Sequence, residues 1–160
     1  MGVKIIGSEA DEQMTVMQWA RLNEHLYKDL ALLHHIPNGG SRNRLEAIHL
    51  KQQGVKAGVP DLCLPVPRCG FHGLYIEMKR RKNARVAESQ NKWIAALRRQ
   101  GYFAAVCYGA DDAIRLIEAY LSRKVSPAGY FDVVEEHHNC FVQVLRNSAT
   151  GEESIGWRKE

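Results

Sequence analysis

The sequence predicts an α/β domain in which a mixed sheet is flanked by helices. Three observations predict it. Residues 74–78 and 102–108 (YFAAVCY) are apolar runs of strand length, and the second, almost continuously apolar, suits a buried strand with a parallel neighbour. Between them, 86–100 places Trp93, Ile94 and Leu97 on one helical face and stops at Gly101, so the unit is the strand, helix and strand of a right-handed parallel crossover. Residues 61–66 form a further extended run, returned into 74–78 by a Gly/Pro-rich turn at 67–73, which adds a hairpin-like neighbour.

The other elements follow in order. Residues 8–32 read as one long amphipathic helix: Ser8 suits the N-cap, Glu9, Asp11 and Glu12 suit the positive end of the helix dipole, and Val16, Trp19, Ala20, Leu26 and Leu30 recur on an apolar face. A short apolar run at 32–37 ends in the turn signal Pro37-Asn38-Gly39-Gly40. Residues 41–53 carry Leu45, Ile48 and Leu50 at helical spacing and stop at Gly54, after which Gly58 and Pro60 frame an irregular approach to the strand at 61. A last helix runs over 111–124 with Ile114, Ile117 and Leu121 on one face, so the core reads α(α)ββαβα. Ser126-Pro127 and Gly129 mark a boundary. Beyond it, strands are expected at 130–134, 139–146 and 154–157 with a turn at 149–151. The expected organisation is a domain over 1–124 and an antiparallel β extension over 125–160 that packs on the core or on a partner subunit.

At 160 residues, 45% hydrophobic and 25% charged, the chain suits one soluble domain with a core that needs no staples. No apolar run approaches the ~20 residues of a membrane span, and MGVKIIGSEADEQ has neither a signal-peptide nor a myristoylation pattern. A cytoplasmic location is expected. The four cysteines form no CxxC pair and are expected as free thiols; Cys63, Cys69 and His72 fit no standard zinc spacing. The histidine pairs at 34–35 and 137–138 read as packing or surface residues. Residues 41–100 carry 13 Lys and Arg against 4 Asp and Glu, whereas the rest of the chain is net acidic. The cluster Lys79, Arg80, Arg81, Lys82 and Arg85 offers a polyanion something to bind.

That positive segment surrounds Pro60 to Lys79, PDLCLPVPRCGFHGLYIEMK. Residues i and i+2 of a strand share a face, so Glu77 and Lys79 project together while Ile76 and Met78 face the other way. If the strand starting at Asp61 pairs with the one ending at Lys79, the site holds two oxygen ligands for a hard cation and a lysine beside them. Spacing alone also permits a solvated hairpin with an ordinary surface ion pair.

Several motifs in order carry a resemblance: HHIPNGG (34–40), RNRLEA (42–47), GVKAGVPDL (54–62), IEMK (76–79), SQNKW (89–93) and GADDAI (109–114). Together they resemble the VRR-NUC domain, a branch of the PD-(D/E)XK nuclease superfamily, in the compact form of phage and bacterial proteins. The resemblance spans about residues 8–122. It implies a restriction-endonuclease-like αβββαβ core and a metal-dependent DNA endonuclease selective for branched or junction DNA, with Mg²⁺ or Mn²⁺ as cofactor. By the same resemblance, Asp61 is the PD aspartate, Glu77 the acidic residue of (D/E)xK and Lys79 the catalytic lysine. Gln90 supports the site, and Met78 lends its carbonyl to the metal. Glu9 or Glu12 supplies an acidic group from the first helix, Glu9 fitting the Glu-x-x-x-Gln spacing to Gln13 better. Arg42, Arg44, Lys51, Lys56, Arg80, Arg81 and Lys82 are expected phosphate contacts, and a homodimer is implied. The rival readings are a non-catalytic nucleic-acid-binding module and an interaction subunit of a phage DNA-processing machine.

Overall fold

The computed structural model describes residues 7–38, 44–80 and 84–122, and four short strands beyond them between 125 and 157; side chains are described for 7–38, 46–80 and 84–122. A four-stranded mixed sheet in the order β1-β2-β3-β4 forms the centre. Strands β1 (His34–His35), β2 (Leu62–Leu64) and β3 (Leu74–Lys79) are antiparallel neighbours, and β3 pairs in parallel with β4 (Phe103–Tyr108) from Leu74 with Phe103 to Lys79 with Tyr108. The expected crossover is present, and its helix is α3 (Glu88–Arg99). With helices α1 (Glu9–Asn23), α2 (Arg44–Gln52) and α4 (Ala110–Leu121), the architecture is the α/β restriction-endonuclease-like fold expected above.

Two apolar clusters cover the sheet. One joins Val16 and Ala20 of α1 and Leu116, Ile117 and Tyr120 of α4 to Leu74, Ile76 and Met78 of β3. The other joins Ile94 and Leu97 of α3 to Ala104 and Val106 of β4, with Tyr75 packed against it. Because helices lie on both faces, β3 is buried almost along its whole length, Glu77 and Lys79 included.

The expected single helix over 8–32 is two elements. α1 ends at Asn23, and after Tyr27, which is extended, a 3₁₀ turn spans Lys28–Leu32. The Asn23 side chain donates to the Trp19 carbonyl at 2.8 Å, the local competition that disfavours asparagine inside helices. Leu30 is still buried, but Leu26 faces solvent. Strand β2 is also shorter than the expected 61–66, since Pro60 cannot donate to a ladder and Pro65 and Pro67 close the other end. The turn that returns the chain is built on Arg68 to Phe71, where Cys69 and Gly70 both take positive φ, 54° and 83°.

After α4, a second four-stranded sheet has the order β5-β8-β7-β6, with β5 (Val125–Ser126), β6 (Phe131–Glu136), β7 (Val142–Asn147) and β8 (Glu153–Trp157). The three longer strands, β6, β7 and β8, pair antiparallel with one another in sequence order, as expected, whereas β5 joins β8 in parallel. The expected turn at 149–151 lies outside the described residues.

Candidate metal centre

The site forms where the C-terminal end of β3 meets the start of α1, the residue before β2 and the first turn of α3. Glu77 and Lys79, two apart on β3, lie on one face of a strand buried on both sides, at 1% and 5% exposure. This excludes the solvated hairpin. Lys79 Nζ donates to Glu77 Oε1 at 2.7 Å, to the Met78 carbonyl at 3.1 Å and to Glu9 Oε1 at 3.4 Å. The lysine therefore belongs to the acidic cluster, whereas Arg80 and Arg85, which the sequence pattern grouped with it, are exposed.

Asp61 stands just before β2, whose last ladder pair with β3 is Leu62 with Ile76. Beyond that pair, the Met78 N–H donates to Asp61 Oδ2 at 2.8 Å, turning the aspartate toward β3. Glu9, Asp61 and Glu77 then each offer a carboxylate oxygen, all within 4.8 Å of one another. Among the described residues this is the one such group of three.

Gln90 is fixed at both ends. Its Oε1 accepts from the Ala87 N–H at 2.8 Å, half of a capping box at the start of α3, and its Nε2 donates to Glu77 Oε1. Both bonds assign the amide one orientation. The start of α3 is seated against the loop before Asp61, where Gly58 (φ 87°) approaches so closely that a Cβ would lie 2.6 Å from the Ser89 carbonyl carbon.

Glu9 and Glu12 do different things. Glu12 Oε2 accepts from the Ala110 N–H at 2.7 Å, at the positive end of α4, while Glu9 alone reaches the cluster. Ser8 and Asp11 close a capping box around the start of α1, and the hydrogen bonds from Ser8 hold the Asp11 carboxyl below the usual range. The capping role of Glu12 was missed in the sequence, where the helix dipole suits both glutamates and only the resemblance, through the Glu-x-x-x-Gln spacing to Gln13, favours Glu9.

Burial, and then the negative charge of Asp61, push the Glu77 carboxyl up to about 7; Lys79 offsets part of this and Glu9 adds to it. Burial opposes the Lys79 charge, but the hydrogen bond and charge of Glu77 outweigh it, and the ammonium sits above its ordinary value. Glu77 Oε2 is buried with no hydrogen-bond partner. An orphaned buried carboxylate oxygen beside two further carboxylates fits a hard divalent cation, for which all-oxygen donors are the preferred set.

A family model, the VRR-NUC domain, matches residues 4–111. The chain belongs to the VRR-NUC domain family. A solved structure of a VRR_NUC domain protein has a TM-score of 0.62 and 32% identity to this chain, covering 77% of it and 92% of the other chain. No curated protein matches. The VRR-NUC match covers every segment that builds the acidic cluster, and the family assignment makes this a nuclease-type, nucleic-acid-processing domain. Of the expected phosphate contacts, Lys51, Lys56 and Arg80 are exposed. Arg42, Arg81 and Lys82, and the side chain of Arg44, lie outside the described residues. Among the described residues no helix is long and apolar enough to cross a membrane.

Proposed function

We propose that the chain is a divalent-metal-dependent DNA endonuclease, with Mg²⁺ or Mn²⁺ as its cofactor and branched DNA as its substrate. The observation that carries this is the burial of Glu77 and Lys79 beside Asp61 and Glu9, with one carboxylate oxygen unpartnered. Burying such groups costs stability that apolar residues of similar size would not, so a purely structural role explains them poorly.

Glu9, Asp61, Glu77 and the Met78 carbonyl would hold the cation. When bound, it would polarise the scissile phosphate and lower the pKa of a nearby water. Lys79, held by Glu77 and Glu9, is poised to stabilise negative charge developing on the phosphate. Gln90 keeps Glu77 oriented, and the exposed Lys51, Lys56 and Arg80, with Arg42, Arg44, Arg81 and Lys82 in sequence beside them, bind the phosphate backbone in a salt-dependent manner. The active form we propose is a homodimer, in which the 125–160 extension packs on the 1–124 domain or on the partner; light scattering tests it.

The deciding experiment incubates plasmid, flap, splayed-arm and four-way DNA with Mg²⁺ or Mn²⁺. Lys79→Ala should lower cleavage by about 10²-fold or more while leaving DNA affinity almost unchanged. Cleavage unaffected by the substitution would sink the proposal. Salt-sensitive binding with no cleavage by the wild type would favour a non-catalytic binding module.

A further inference from the structure

The proposed chemistry does not use the HHIPN segment, yet its described residues are tied to the backbone around Asp61. The Ile36 N–H donates to the Asp61 carbonyl at 2.7 Å, His35 Nδ1 lies 2.8 Å from the same oxygen, and Asn38 Nδ2 donates to the Val59 carbonyl. A carbonyl only accepts, so Nδ1 carries the hydrogen. Two donors converge on the main chain of one carboxylate residue, and a third holds the chain two residues earlier.

His35 is exposed, as is His34 beside it. A solvent-facing ring contributes little to a core, and its bond competes with water, so the fold does not depend on it. What the bond does is local. β2 begins only at Leu62, leaving residue 61 outside the ladder, and Gly58, at positive φ, and Pro60 precede it on an irregular path. The Asp61 side chain is fixed to β3 by the Met78 N–H alone among its described hydrogen bonds. The position of its carboxylate therefore depends on where its own backbone is held.

We infer that residues 35–38 are a strap that positions Asp61 for a divalent cation, and that His35 is its positioning residue, acting through the Nδ1–H bond to the Asp61 carbonyl. The inference rests on the metal-centre reading above. It assigns His35 no contact with metal or DNA. It predicts that a donor at the Nδ1 position suffices: asparagine, whose amide nitrogen can occupy nearly the same place, should replace the imidazole, and alanine should not.

The test titrates Mn²⁺ alone into the wild-type protein and the His35→Ala, His35→Asn and His34→Ala variants, following thermal unfolding. In parallel, amide exchange at Met78, in the absence of metal, reports whether Asp61 still accepts from it. His35→Ala should raise the Mn²⁺ midpoint about tenfold or more, in the range seen when partners of metal ligands are removed. It should also speed Met78 exchange while overall unfolding of the metal-free protein changes little. His35→Asn should stay within about threefold of the wild type, and so should His34→Ala, whose Nδ1 bonds the Leu32 carbonyl instead. A His35→Ala midpoint within about threefold of the wild type with unchanged Met78 exchange overturns the strap, as does equal impairment of the alanine and asparagine variants. A wild-type protein that shows no Mn²⁺ response overturns the metal centre itself, and Met78 exchange then still judges the strap.

Discussion

Replacing Glu77 by glutamine should make the metal-free protein more stable at pH 8. Glu77 is 1% exposed, and its carboxyl is pushed up to about 7 by burial and by Asp61. The folded-state value is raised, so the contribution to stability is fully present below the ordinary value near 4.5 and is lost as pH rises toward 7. At about 1.4 kcal/mol per pH unit, ionised Glu77 costs the folded, metal-free protein on the order of 3 kcal/mol at pH 8. Glutamine resembles the protonated acid: its oxygen can accept from Lys79 and Gln90 while its amide faces the other carboxylates. Lys79 keeps Glu9 and the Met78 carbonyl as acceptors. For a chain of this size the gain corresponds to a Tm increase of roughly 6–12 °C. The assay is thermal unfolding in chelator at pH 5 and pH 8, then with Mn²⁺. The wild type should lose stability between the two pH values, and Glu77→Gln should not. A cation at 100 times its Kd would return about 2.7 kcal/mol to the wild type. The variant should respond weakly. A wild-type curve flat from pH 5 to 8 in chelator, or a variant no more stable than wild type at pH 8, refutes the reasoning.

Other consequences follow from the same geometry. Tyr120→Phe removes the 2.7 Å bond from the buried hydroxyl to the Val66 carbonyl and should cost about 1–3 kcal/mol in urea unfolding. Burial pushes the Tyr120 hydroxyl up to about 12, so its contribution is fully present below about pH 10 and is lost as pH climbs to 12; Tyr120→Phe should flatten that alkaline limb. Gly58→Ala combines a positive φ with a Cβ 2.6 Å from the Ser89 backbone. It should destabilise by about 1–3 kcal/mol in denaturant and weaken Mn²⁺ binding, because it displaces the loop that carries Asp61.

Much of the fold was legible because the decisive signals were local. The apolar run at 103–108, the helical face of Trp93, Ile94 and Leu97, and the stops at Gly54 and Gly101, both at positive φ, each announce an element without reference to the rest of the chain. The break in the first helix was not legible for the same reason. Leu26 and Leu30 continue the apolar spacing across it, and the interruption comes from the Asn23 side chain and the extended Tyr27. Periodicity counts side chains and does not see a backbone that has changed helix type. The parallel join of β5 to β8 likewise depends on partners far apart in sequence.

The candidate site divides along the same line. Glu77 and Lys79 were legible as a pair because the strand period alone puts them on one face, and Asp61 because a hairpin brings it alongside. Their burial was not, since it depends on helices covering both faces of β3. Helix-dipole reasoning alone did not separate Glu9 from Glu12, which stand three apart in the first turn of one helix and suit it equally well; only the spacing to Gln13 favoured Glu9. The separation is tertiary: α4 presents the Ala110 N–H to Glu12, and that bond anchors the first turn of α1. With its neighbour so occupied, Glu9 reaches Lys79, and the two glutamates become a support and a member of the cluster. Gln90 repeats the arrangement within one side chain, since its oxygen caps α3 and its nitrogen holds Glu77. In both cases a residue in the first turn of a helix caps a helix start, Gln90 bonding the cluster itself and Glu12 standing one turn from Glu9, which does. The groups at these helix starts therefore also place the carboxylates: Gln90 holds Glu77, and α1 carries Glu9 to Lys79.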